Sequence, residues 1–251
     1  AGAAEGGENA EESVESWKSE ISPSLSAVQS SIPSTVRLVA VSKTKPAEAL
    51  LAAYEAGQSY FGENYVQELC EKSQHPLLRN LDDLHYHFIG RLQSNKASVL
   101  VKTVRQLECV ETVETIKLAS KLNRAVSEAI TEGKRDSVLK IMIQVNSSGE
   151  PQKGGVESHE DAAALAKFIS TECPNLRLTG MMTIGRADYT AGPENFKYLA
   201  ESRSAVAVSL GIEESAMELS MGMSNDYLTA IEHGSTNIRV GSTIFGRRSY
   251  S

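Results

Sequence analysis

Two short turns rich in glycine and serine carry the groups best suited to hold an anion: SMGMS, Ser220 to Ser224, and Gly241-Ser242-Thr243. Each follows a run of strand character, Met217 to Ser220 and Asn237 to Val240. Turns of small residues leave backbone N–H groups bare, and helix N-termini concentrate such groups. Ser220, Ser224, Ser242 and Thr243 add hydroxyls, so the pair reads as a cradle for a phosphate. One such turn alone is ordinary helix capping. Two of them, one strand apart, point to a ligand.

Lys43 ends the β-branched run VRLVAV, Val36 to Val41, and so belongs at the mouth of whatever sheet that run enters. A lysine partly desolvated near another cation is a nucleophilic amine toward aldehydes and ketones. Lys45, on the same side by strand parity, can supply that cation. The plain alternative is a rim lysine reaching for solvent. Facing a phosphate cradle, Lys43 reads as a Schiff-base lysine for a phosphate-bearing carbonyl compound. Arg239 lies between Ile238 and Val240, where a guanidinium needs a partner. That partner is either the ligand, since Arg239 shares a strand face with Gly241, or a buried glutamate such as Glu63 or Glu111. His85 and His87 share a face, but no Cys or third His is spaced to complete a metal site, so no metal is expected. His87 reads as a satisfied core or rim residue sooner than as a ligand contact. Met181-Met182 and Met221-Gly222-Met223 fit an apolar wall for a flat ring, or plain core filler.

These residues need elements to position them. A first helix is expected from Glu11 to about Ser31, with Ser22-Pro23 a point where it breaks or restarts. Strands follow at Val36 to Val41, Ser59 to Phe61, Leu84 to Ile89, Gln106 to Val110, Val138 to Val145, Leu176 to Met182, and the two already named. Each leads into an amphipathic segment; Ile116, Ala119, Leu122, Val126 and Ile130 mark the clearest. Strictly alternating units imply a parallel sheet, and eight of them at this length imply a closed (β/α)8 TIM barrel. An open doubly wound sheet is the alternative. In a barrel, the strand ends gather Lys43, Asn64, His87, Glu111, Met182, the Ser220–Ser224 turn and the Arg239–Thr243 segment at one mouth.

Composition limits the partners. The 251 residues carry a net charge of −7, which argues against nucleic-acid binding. Cys70, Cys109 and Cys173 form neither a disulfide framework nor a metal set, which favours a reducing compartment. No apolar run approaches the ~18 residues of a membrane span. The acidic segment 1–12 reads as a disordered tail, trimmed or processed at Ala1, ahead of one domain over 13–251.

Together, AVSKTKP, FGENYVQE, HFIGRLQSNK, SMGMSNDY and IRVGSTIFGRR resemble the pyridoxal 5′-phosphate homeostasis proteins, over roughly Val36 to Arg248. The resemblance implies a single barrel similar to the alanine racemase N-terminal domain, with pyridoxal 5′-phosphate held as a Schiff base on Lys43. It further implies phosphate against Ser220, Met221, Ser224, Gly241 and Ser242, and Arg239 facing the pyridine nitrogen. Asn64, the HFIG segment with His87, and Met182 would line the ring. Tyr86 stands where the family more often has Trp or Phe, and Ser242 where Thr is common. An arginine at the ring nitrogen discourages its protonation and weakens the ring as an electron sink. The expectation is a cytoplasmic, monomeric protein of vitamin B6 homeostasis, without robust turnover and with no catalytic residue assigned. Its partners would be the cofactor and the apoenzymes that receive it. An amino-acid racemase and a class I aldolase-type barrel are the competing readings.

Overall fold

Short apolar runs punctuated by glycine become strands, and the longer amphipathic segments between them become helices that cover the sheet. The computed structural model describes residues 5–150, 152–185 and 192–246. The strands are β1 (Arg37–Val41), β2 (Tyr60–Glu63), β3 (His85–Phe88), β4 (Leu107–Val113), β5 (Leu139–Gln144), β6 (Leu176–Met182), β7 (Glu218–Ser220) and β8 (Asn237–Val240). They pair in parallel and in chain order, and β8 closes on β1. The closed barrel expected from the alternation is the one observed; the open sheet is not.

Helix α1 (Glu5–Ser31) precedes the barrel. Then α2 (Ala47–Glu55), α3 (Val66–Gln74), α4 (Ala97–Thr103), α5 (Ile116–Thr131), α6 (His159–Glu172), α7 (Gly192–Leu210), α8 (Tyr227–Glu232) and α9 (Ser242–Phe245) follow successive strands. Side-chain caps define two starts: Thr115 accepts from the Leu118 amide, and Ser158 from the Asp161 amide.

The main core lies between barrel and helices, where Phe61, Tyr86, Phe88, Leu50, Leu69 and Leu100 are fully buried. Each large side chain buried there contributes roughly 1.5–3 kcal/mol. Cys109, Met142 and Met182 form a separate buried cluster. As buried strand residues outside the helix-facing core, they face the barrel lumen. Among the described residues no helix is long and apolar enough to cross a membrane.

Four departures from the expected elements stand out. Helix α1 runs through Ser22-Pro23 without a break. Ile21, Leu25 and Val28, each 1% exposed, are buried on its inner side, which offsets the ~3 kcal/mol cost of an interior proline. The same helix begins at Glu5, inside the segment read as a disordered tail; residues 1–4 lie outside the described residues. Strand β4 extends to Val113, so Glu111 lies within the strand instead of ending it. The helix expected to open at Ser224 opens at Tyr227, because the Asp226 carboxylate accepts the Met223 amide at 2.6 Å and closes a turn first.

Two glycines hold the mouth together. Gly222 has φ +95°, and a Cβ there would lie 2.6 Å from the Ala230 Cβ. A Cβ on Gly90 would lie 1.9 Å from the Asn64 carbonyl oxygen, so the loops after β2 and β3 touch backbone to backbone. Gly90→Ala should therefore cost about 1–3 kcal/mol or more, since the obstructing atoms are main chain. Chemical denaturation checks this; an unchanged midpoint would mean that these loops part freely.

Candidate functional site at the barrel mouth

A cavity of about 250 Å³ opens at the C-terminal ends of the strands, near the lower end of the usual size for a small-molecule site. Lys43, Asn64, Ser224, Arg239, Gly241 and Ser242 line it. The register explains the convergence. Ala40 pairs with Val240 and Val41 with Gly62, so the residues just beyond β1 lie level with the loops after β8 and β2.

Lys43 follows a tightly held backbone. The Ser42 carbonyl accepts from Lys72 Nζ at 2.8 Å, and the Thr44 amide donates to Glu68 Oε1 at 2.6 Å. Thr44 has φ 64°, a left-handed conformation that costs a β-branched residue about 1–3 kcal/mol. Lys45 lines the same cavity, with its ammonium 5.7 Å from the centre of the Trp17 ring.

Arg239 is 4% exposed and is held from two sides. Its Nη1 donates to Ser220 Oγ and its Nη2 to the Thr183 carbonyl, both at 2.6 Å. The other N–H groups of this guanidinium make no hydrogen bond to a described residue. Glu111 Oε2 lies 4.0 Å from Nη1 and accepts from Ser220 Oγ at 2.5 Å. Glu111 Oε1 meets His87 Nδ1 at 2.5 Å and the Asn237 amide at 3.2 Å. Burial alone would push the Glu111 carboxyl up. His87, Arg239 and Ser220 outweigh it and hold the group below the ordinary range. Burial lowers Arg239, opposed by Glu111 and Asp226.

Beside these cations, the Gly241 and Thr243 amides converge on one oxygen, Ser224 Oγ, at 3.2 and 3.4 Å. Two backbone donors aimed at a single oxygen are a stance that an anion's oxygen can also take. A cationic arginine, a primary amine and this donor pair therefore share one mouth.

Six of the ten candidate residues line the cavity; four lie elsewhere. Ser220 sits one layer down, its hydroxyl spent on Glu111, Asn237 and Arg239. His87 lies deeper, bonded to Glu111, with Nε2 buried and unpartnered. Met182 belongs to the lumen cluster, and Met221 is buried in the main core. Of the two glutamates weighed for Arg239, Glu111 is the one beside it, while Glu63 pairs with Lys72 at 2.7 Å. No group of His, Cys, Asp or Glu among the described residues could hold a metal ion. Lys72 and Glu68 were not among the expected residues. The Glu68–Lys72 spacing of i,i+4 was visible, but it reads as a surface pair.

A carboxylate held below its ordinary value contributes stability that is present above the unfolded pKa and is lost as pH falls through the folded one. Glu111→Gln should cost on the order of 3 kcal/mol at neutral pH, by leaving Arg239 without its counter-charge. That gap to the parent protein should narrow as pH falls below about 4.3, the ordinary glutamate value. Urea unfolding at pH 7 and pH 3.5 checks both; a gap that does not change with pH would take Glu111 out of the ionised network.

Residues 19–249 match the family model described as alanine racemase, N-terminal domain. The chain is 47% identical over 219 residues to the pyridoxal phosphate homeostasis protein of Bos taurus, covering 86% of this chain and 78% of that one. To the protein of the same name from Caenorhabditis elegans it is 48% identical over 217 residues, covering 85% and 86%. Among solved structures it is similar to PipY of Synechococcus elongatus with PLP bound, at TM-score 0.75 and 34% identity, covering 90% of this chain and 100% of that one. An alanine racemase from Clostridium difficile, at TM-score 0.69 and 12% identity, covers 93% of this chain and 58% of that one, a likeness of fold alone.

Proposed function

Because the chain belongs to the pyridoxal phosphate homeostasis family, built on the alanine racemase N-terminal domain, we propose that it binds pyridoxal 5′-phosphate at the barrel mouth. Lys43 holds the cofactor as a Schiff base, and the protein serves vitamin B6 homeostasis without robust turnover. One observation carries this reading: Lys43, Arg239 and the Ser224–Gly241–Ser242 corner line a single cavity. When bound, the cofactor supplies an aldehyde for the amine, a pyridine ring and a phosphate dianion.

The residues present fit that group. The Gly241 and Thr243 amides, now converging on Ser224 Oγ, give a phosphate two neutral donors. Arg239 remains cationic despite its burial, because arginine is not deprotonated in proteins. A cation beside the ring nitrogen disfavours a second positive charge there. Ser220 and Thr183 hold that guanidinium in place, so it cannot swing aside.

Absence of turnover is supported by the lining. Racemisation needs a second base, and no described lining residue is Tyr, Cys or His. Apart from Lys43 and Arg239, the sole titratable group on the described lining is Lys45. Transfer to apoenzymes, a monomeric state and a cytoplasmic location complete the proposal; the three free cysteines suit a reducing compartment.

The purified protein should show a visible band that borohydride abolishes, with the label on Lys43 and no band in Lys43→Ala. A label on Lys45, or a band that survives in Lys43→Ala, would overturn the lysine assignment. Trp17 is the single tryptophan, and its ring lies 5.7 Å from the ammonium of Lys45, which lines this mouth, so titration with pyridoxal 5′-phosphate should quench its emission. Arg239→Glu should shift the bound cofactor's spectrum and weaken binding about tenfold or more, the scale of one lost charge-assisted contact. Loss of chirality in any of several amino acids would favour the racemase reading.

A further inference from the structure

Lys72, near the end of α3, is only 7% exposed and spends its ammonium on three acceptors. These are the Ser42 carbonyl at 2.8 Å, Glu63 Oε1 at 2.7 Å and Glu68 Oε1 at 2.6 Å, which satisfy every donor of the group. Ser42 Oγ donates to the same Glu63 oxygen at 2.7 Å. Glu68 Oε1 takes, besides Lys72, the Thr44 amide at 2.6 Å. The two peptide groups on either side of the Lys43 Cα are thus tied to one buried ion cluster on α3 and β2. One is held by its carbonyl through Lys72, the other by its N–H through Glu68. Immediately after them the chain makes the left-handed turn at Thr44, closed by the Lys45 amide on the Ser42 carbonyl at 3.0 Å.

A threonine does not adopt that conformation unaided. We propose that Lys72 and Glu68 are positioning residues for Lys43: they hold the turn at Thr44 and so fix the direction in which the Lys43 amine leaves the backbone. That direction decides how readily the amine meets an aldehyde. In the condensation the amine nitrogen bonds to the aldehyde carbon, and the carbonyl oxygen leaves as water with two protons from nitrogen. Neither Lys72 nor Glu68 lines the cavity, so both act through the backbone. The inference deepens the proposed function and rests on Lys43 as the imine-forming residue. The plain competing account is that the cluster only anchors α3.

Two measurements separate these accounts. In Glu68→Ala the Thr44 amide should exchange with deuterium about tenfold faster or more, a readout that needs no cofactor. Titrated with pyridoxal 5′-phosphate, the same variant should develop the visible band about tenfold more weakly. Glu68→Gln keeps an acceptor oxygen and should retain most of both properties. Adding Thr44→Gly to Glu68→Ala should restore most of the capture, since glycine takes a positive φ without a partner. Unchanged exchange in Glu68→Ala, or a double variant that captures no better than the single one, would overturn the proposal. Failure of the parent protein to form a borohydride-sensitive band would instead sink the Lys43 reading, while exchange at Thr44 would still decide the clamp.

Discussion

Closure of the sheet, β8 against β1, is the constraint from which the site follows. Lys43 and Arg239 are separated by nearly the whole chain, yet Val39 and Arg239 are direct partners in the ladder. Once that pairing forms, the residues after both strands must emerge side by side, whatever the intervening helices do. A slip of one residue in β8 would turn Arg239 from the lumen to the helix layer and exchange it with an aliphatic neighbour. Both Ile238 and Val240 are fully buried in the main core, so such a slip would place a charge there. The apolar neighbours of Arg239 thus hold the register that aims it.

A guanidinium inside a barrel is costly unless its surroundings answer it. Here the answer is layered. Arg239 leans on Ser220 and Thr183, Ser220 leans on Glu111, and Glu111 on β4 is gripped by His87 of the neighbouring β3 and by Asn237 of β8. The polar lumen beneath the mouth therefore works as a foundation for one cation. The residues expected to touch a ligand there, Ser220 and His87, lie one and two layers below it.

This explains how much of the site was legible. The barrel could be read because alternation of strand and helix is a local pattern repeated eight times, with β6 and β8 bounded to the residue. The mouth residues could be read because the ends of parallel strands collect there by rule: Lys43, Asn64, Ser224, Arg239, Gly241 and Ser242 all line the cavity. Depth could not be read. Strand parity puts Ser220, Met182 and His87 on the lumen side but does not say at which level, because the level depends on strand stagger. Lys72 was hidden for a different reason. Glu68 and Lys72, one turn apart, look like any solvated pair, and only the packing of α3 over the β1 loop makes that lysine internal.

The charge of the chain sets a further condition on an anion site. At −7 overall, the long-range field works against anion capture. Beyond about 8 Å, however, physiological salt screens most of that field, so the nearest groups decide. Among them Arg239 is already answered by Glu111, and Lys43 would lose an N–H donor pair on forming an imine. Backbone amides escape both limits: the Gly241 and Thr243 donors carry no net charge, need no counter-ion and are fixed by the turn itself. An acidic protein that holds a phosphate is better served by such neutral donors than by more lysines, because their attraction ends within a few ångströms of the turn.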